Sequence, residues 1–183
     1  MSKPKVPLEA IRTLREQTGA PLGDVRGALE EAGGDPAKAR EVLQRKGFEA
    51  AEKRKTRAAK LGRVESYVHH DGRVAAVVEE NCETDFVARL PEFQQFCCAV
   101  AMQVASQNPQ YVRKEDVPPD QVPGGQQGKR AEERLREACL LEQPFIKDQG
   151  QTMAQYLTAL IAKTGEHIVV RRFVRFGLGE ELA

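Results

Sequence analysis

Lysine and arginine number 28 against 27 acidic residues in a chain of 183, a net charge of +1, so composition does not call for a nucleic-acid or membrane surface as the main partner. A hydrophobic fraction of 40% supports a buried core, and the length fits one domain of ordinary size plus a small one. No apolar stretch follows Lys3 and Lys5, and no run approaches the roughly 20 residues of a membrane span, so a cytoplasmic protein is expected. Cys82, Cys97, Cys98 and Cys139 lack the paired spacing of a zinc site or a disulfide framework, and reduced thiols are the expected state.

The amino-terminal residues 1–48 read as a compact three-helix module. Leu8, Ile11 and Leu14 share one helical face, Thr18-Gly19 breaks it, Leu22, Val25 and Leu29 share the next, and Gly33-Gly34 ends that helix. Asp35 before Pro36 is an N-cap followed by proline at the first helical position, and Gly47 is placed to end the third helix. Between Arg45 and Arg63 stand eight basic and two acidic residues, and residues 49–60 read as a solvated helical linker. An RNA-binding or ribosome-associated module acting through these lysines and arginines is the competing reading. It ranks lower because no aromatic residue is interleaved for base stacking.

From residue 61 to 183 the pattern predicts an α+β domain. Val64, Ser66 and Val68 alternate with Glu65, Tyr67 and His69, and Asp71-Gly72 marks a tight turn into a second strand from Arg73 to about Glu80. His69 and His70 lie beside that turn, point to opposite faces and lack a third ligand, so they read as surface residues. Pro91 starts a helix to about Gln107, with Phe93, Phe96, Cys97, Val100 and Val104 on its buried stripe. The proline- and glycine-rich stretch from Val117 to Lys129 is expected to be a flexible excursion, followed by a helix from about Arg130 to Leu141 and a turn at Gln143-Pro144-Phe145. Thr152 with Gln155 forms a capping box for a last helix ending at Gly165, and Ile168 to Phe176 alternates as a third strand with apolar residues on both faces. The predicted sheet is three-stranded and antiparallel.

Asn81 to Arg89 closes the second strand and opens the Pro91 helix, and it carries Phe86, an aromatic that neither element needs. Phe86 either plugs the sheet edge or serves as a contact residue on a loop. No catalytic constellation competes: the histidines have no serine or cysteine elbow, there is no glycine-rich phosphate loop, and Glu79, Glu80 and Glu83 show no metal-ligand pattern. A single cysteine such as Cys82 with the distant His167 is very weak ground for a nucleophile. The expected mode of action is contact with another protein rather than enzymatic catalysis, with Asp85 bringing charge and Phe86 a rigid apolar anchor.

These residues carry a resemblance. Leu14-Arg15-Glu16 with Thr18-Gly19-Ala20, Tyr67 to His70, Asn81 to Arg89 in full, Leu140 to Phe145, and Gly165 to Phe173 resemble the bacterial elongation factor Ts family, nucleotide-exchange partners of the translational GTPase elongation factor Tu. The resemblance implies a ubiquitin-associated-like amino-terminal module, a dimerisation-type core, and guanine-nucleotide exchange. In it the loop matching Thr84, Asp85, Phe86, Val87 and Arg89 presses on the GTPase beside its magnesium site. Such a factor needs no cofactor and no metal of its own, since it acts on the magnesium–GDP complex of its partner. Arg15, Thr18, Gly19, Ala20 and Leu22 would form a second contact, although Pro21-Leu22-Gly23 stands where many members have Gly-Met-Met. The chain has one strand set where long members have two core subdomains. A two-fold homodimer is therefore expected, with Ile168, Val170, Arg172, Phe173 and Val174 at its surface. Cys82 and Val87 fit core packing better than Phe86 does.

Overall fold

The computed structural model describes residues 6–119 and 129–180, so most of the expected excursion from Val117 to Lys129 lies outside the described residues. The chain is α+β and divides into two compact units, one of residues 1–58 with 157–167 and the other of residues 59–156 with 168–183.

In the first unit α1 (Leu8–Thr18), α2 (Leu22–Glu31) and α3 (Pro36–Arg54) pack around Ile11, Leu14, Val25, Ala28, Leu29 and Ala39. Local chemistry sets their ends. Gly19 takes φ 65°, which closes α1 by turning its N–H back to the Arg15 carbonyl. The Asp35 carboxylate accepts from the amides of Ala37 and Lys38 at 2.9 and 3.3 Å and caps α3, with Pro36 in its first turn. One boundary departs from expectation: Gly47 does not end α3 but lies inside it, and the helix runs seven residues further to Arg54. A Cβ at Gly47 would sit 3.1 Å from Thr158 Cγ2, so this glycine serves close helix packing rather than termination. Residues 157–167, which include most of the last helix and were expected in the second domain, group with these amino-terminal helices, where Leu157, Leu160 and Ile161 are buried. Lys53, Lys55, Arg57 and Lys60 are exposed, and residues 49–54 of the stretch expected as a linker form the end of α3.

The second unit is built on a three-stranded antiparallel sheet in the order β1 (Leu61–Val68), β2 (Val74–Cys82), β5 (Val169–Gly177). The Asp71-Gly72 turn joins β1 to β2, with Gly72 at φ 70° and its N–H donating to the His69 carbonyl. Helix α5 (Pro91–Gln107) covers one face through Phe93, Phe96, Cys97, Val100 and Val104, all fully buried, against Ala76, Val78 and Val170. The other face is open. Val64 and Val68, at 66% and 64% exposure, lie on it with the half-buried Ala75 and Val77 and the exposed Val174 and Phe176. Alternation in β1 was legible, but its valines face outward while Glu65, Tyr67 and His69 take the partly covered side.

Helix α6 (Lys129–Ala138) is followed by a single turn, Leu140–Glu142, and then by a hairpin where only a turn was expected: β3 (Pro144–Phe145) pairs with β4 (Asp148–Thr152). Its anchor is a buried amide 40 residues upstream. Gln103 of α5 donates to Gln143 Oε1 at 3.0 Å and to the Pro144 carbonyl at 3.1 Å, and its Oε1 accepts from the Ile146 amide at 2.9 Å. Helix α7 (Met153–Thr164) then starts in the expected capping box, Thr152 N–H to Gln155 Oε1 at 2.7 Å and Gln155 N–H to Thr152 Oγ1 at 3.2 Å, and closes at Gly165 with φ 74°. Replacing Gln103 by leucine would leave the Ile146 amide and the Gln143 side chain without these partners. A loss of about 2–3 kcal/mol is expected in urea unfolding, and a change too small to measure would show that the hairpin is held by other contacts.

Candidate functional site

Strand β2 delivers the Asn81 to Arg89 segment from inside the sheet. Asn81 and Cys82 are buried at the strand's end, and the Cys82 thiol donates to the Thr84 carbonyl at 3.2 Å. Thr84, in extended conformation at φ −131°, caps a one-turn helix, α4 (Asp85–Ala88), and its Oγ1 accepts from the Val87 amide at 3.4 Å. Three further backbone bonds, Ala88 N–H to Thr84 O, Arg89 N–H to Asp85 O and Leu90 N–H to Val87 O, close the turn directly onto Pro91, where α5 begins.

The outcome is a split between neighbours. Val87 is 6% exposed and sits in the core, while Phe86, the residue before it, is 85% exposed. On a helical turn adjacent side chains point about 100° apart, so burying Val87 turns Phe86 out of the protein. Phe86 therefore does not plug the sheet edge. Asp85 and Arg89 are exposed on either side, and Thr84 is half-buried as the cap. Val87, expected among the contact residues, is instead the peg that fixes the turn.

The second set of predicted site residues lies in the first unit. Leu22 and Leu8 are exposed, and with Ile11, Arg12, Arg15 and Glu16 they line an open groove of about 580 Å³. Thr18 and Gly19 shape the loop beside it: Thr18 Oγ1 donates to the Leu14 carbonyl at 2.7 Å and accepts from the Ala20 amide at 3.4 Å. Ala20 packs on the module core and Arg15 is exposed. Leu8, which the helical periodicity assigned to a shared apolar face, is the residue missed as a candidate.

On the open sheet face the predicted set changes. Ile168 and Val170 are buried in the chain's own core at 2% and 1% exposure, so neither can serve as a surface residue, and Phe173 is half-buried. The reason is a register shift in β5: Glu79 pairs with Arg172 and Glu80 with Val170, so that residues before and after Arg171 follow different parities. Arg172, Val174 and Phe176 remain exposed and are joined by Val64 and Val68. Arg172 and Arg171 reach Glu79 at 2.7 and 3.5 Å, and the Arg172 guanidinium holds that carboxylate below its ordinary range, with smaller help from Asn81 and Arg171.

Among the described residues no group of three histidine, cysteine, aspartate or glutamate side chains is placed to hold a metal ion, and no helix is long and apolar enough to cross a membrane. The site is an exposed aromatic on a fixed turn flanked by opposite charges, the makeup of a contact surface on an α+β scaffold. Comparison with known proteins agrees with that architecture. The family described as Elongation factor TS matches residues 36–127. An elongation factor Ts from Carboxydothermus hydrogenoformans is 47% identical over 96% of this chain and 90% of its own length. Those from Heliobacterium modesticaldum and Rubrobacter xylanophilus are 43% and 42% identical, over 94% and 93% of this chain and 90% and 98% of their own lengths. The chain belongs to the elongation factor Ts family, and with it to the translation elongation factors of protein biosynthesis.

The cap is open to direct test. Thr84→Ala should lower the protection of the Val87 amide in hydrogen exchange by about 1 kcal/mol, the usual worth of an N-cap, and Thr84→Ser should restore it. Equal protection in all three proteins would show that the turn is held by Val87 packing alone.

Proposed function

We propose that this chain is a guanine-nucleotide exchange factor for elongation factor Tu, acting in the cytoplasm by contact alone, without covalent catalysis and without a cofactor of its own. The observation that carries the reading is the bare Phe86 on a turn pinned by Val87. Pressed into an apolar pocket of the GTPase beside its magnesium–GDP site, such a ring stabilises the arrangement of the partner that holds nucleotide poorly. Linkage then requires that nucleotide affinity fall by the same factor by which nucleotide weakens the factor's own binding. Pre-organisation makes the contact effective: the turn is already formed, so little ordering cost is taken from the burial of the ring. Asp85 and Arg89 would set the approach of the charged rim around that pocket. The groove of Leu8, Arg15 and Leu22 supports a second contact on the GTPase by the first unit.

Phe86→Ala should leave the fold intact, because the ring makes little contact with its own protein. It should slow release of a fluorescent GDP analogue from elongation factor Tu in stopped flow by about one to three orders of magnitude, as for an interface hot spot of roughly 2–4 kcal/mol. An unchanged rate in the folded variant would overturn the wedge.

The same reading includes a homodimer formed through the open sheet face. Val64, Val68, Val77, Val174 and Phe176 give it an apolar centre, and Glu79 with Arg171 and Arg172 give it both signs of charge, so the face can meet a two-fold copy of itself. In sedimentation at micromolar concentration the native chain should run as a dimer and Val174→Asp as a monomer. A monomeric native chain that still drives exchange would remove the dimer from the mechanism.

A further inference from the structure

Below the Phe86 turn, strand β2 carries a carboxyl group that the contact mechanism does not use. Glu80 is 0% exposed, and neither Oε1 nor Oε2 has a hydrogen-bond partner. The strand is irregular on both sides at this point. On β1, Gly62 stands opposite Asn81 with φ 145°, and a Cβ placed there would lie 2.0 Å from the Glu80 carbonyl oxygen. On β5 the register shift leaves Arg171 unmatched next to the Glu80–Val170 pair.

The groups facing Glu80 do not compensate its charge. From β1 come Arg63 and Glu65, already paired with each other at 2.7 Å. From α5 comes the buried Cys97 thiol, a weak donor whose interaction with the carboxyl lowers it only in part and which is itself pushed upward by burial and then by Glu80. β5 offers Val170, and on β2 itself Glu79 is engaged by Arg172. Burial is the main cause that raises the Glu80 carboxyl to about 8, and Glu65 adds to it while Cys97 and Arg63 oppose it.

We propose that Glu80 is a positioning residue for the Asp85–Phe86 turn, coupling one proton to closure of the strand end that carries it. The closed strand holds a proton that the opened strand, with Glu80 in water, releases. The raised value fixes the sign: closure has its full advantage below the ordinary carboxylate value of 4.5 and loses it as pH rises to about 8. Above that the effect levels off. Within the window the opening equilibrium grows by up to about tenfold per pH unit. The turn that presents Phe86 thus hangs from a segment of low local stability, as contact loops that must adapt to a partner do. Only the consequence for the partner rests on the exchange reading.

Hydrogen-exchange protection factors, already corrected for base catalysis, of amides 78–88 in the full chain at pH 6 and pH 8 test this without a partner. The native protein should lose up to about a hundredfold of protection across those two pH units, while Glu80→Gln and Glu80→Leu should be flat. Amides of α1 and α2 serve as the internal reference. A flat native profile, or the same slope in either variant, would overturn the proton coupling. With elongation factor Tu present, the ratio of native to Glu80→Gln exchange rates at subsaturating factor should follow the closed fraction calculated from the measured protection at each pH, because only the closed fraction is competent. A ratio that departs from that fraction would overturn the positioning role. Failure of both proteins to release GDP at any pH would instead count against the exchange reading.

Discussion

Everything about the presented surface depends on the burial of one small side chain. Val87 is buried in the core, and the Thr84 cap and the Cys82 thiol hold the turn that brings it there. Burying a valine side chain contributes roughly 1.5–3 kcal/mol, ample to fix a four-residue turn whose ends are already tied to a strand and a helix. The geometry then leaves Phe86 no inward direction. The chain therefore keeps a large aromatic ring in water by burying a smaller aliphatic side chain in the core, and the ring's orientation is set in advance.

The sheet shows the same economy on a larger scale. Helix α5 closes one face with an unbroken run of buried side chains, and nothing among the described residues covers the central part of the other. An open antiparallel face in water normally carries polar residues, whereas this one carries valines and a phenylalanine. The Glu79, Arg171 and Arg172 cluster breaks that apolar field at one end and gives it a direction. The β5 bulge makes this possible, since it brings two consecutive arginines to one carboxylate while returning Val170 to the core.

Much of this was legible because it is local chemistry. Asp35-Pro36, Asp71-Gly72, Pro91 and the Thr152/Gln155 pair each announce an element end within four residues, and all four ends stand where those residues put them. What was not legible depends on residues far apart in the chain. Gly47 looks like a stop signal until Thr158 is seen against it. The β3–β4 hairpin is short and polar, and its anchor, Gln103, belongs to a helix 40 residues earlier. Alternation in β1 defines two faces without saying which one α5 will cover, and a bulge at Arg171 cannot be read from an alternating string, so Ile168 and Val170 were assigned to the surface. At the contact turn the segment was recognisable as a whole, but the division of labour between Phe86 and Val87 required the turn's own geometry.

Glu80 belongs to the unreadable class for a further reason. Its position on β2 shares parity with Ala76, Val78 and Cys82, all buried, so the alternation itself points it inward. An acid at an inward position is ordinarily answered by a partner, and here the nearby cation, Arg63, is already engaged with Glu65. The strand end is thus held from one side by Val87 and Cys82 and weakened from the other by an uncompensated carboxyl and two backbone irregularities. On the proposed proton coupling and exchange reading, a turn anchored by packing yet fed by such a strand end can be firm in the free protein and still yield to a partner. Rigidity resides in the peg and compliance in the root, and the two are only a few residues apart on one strand.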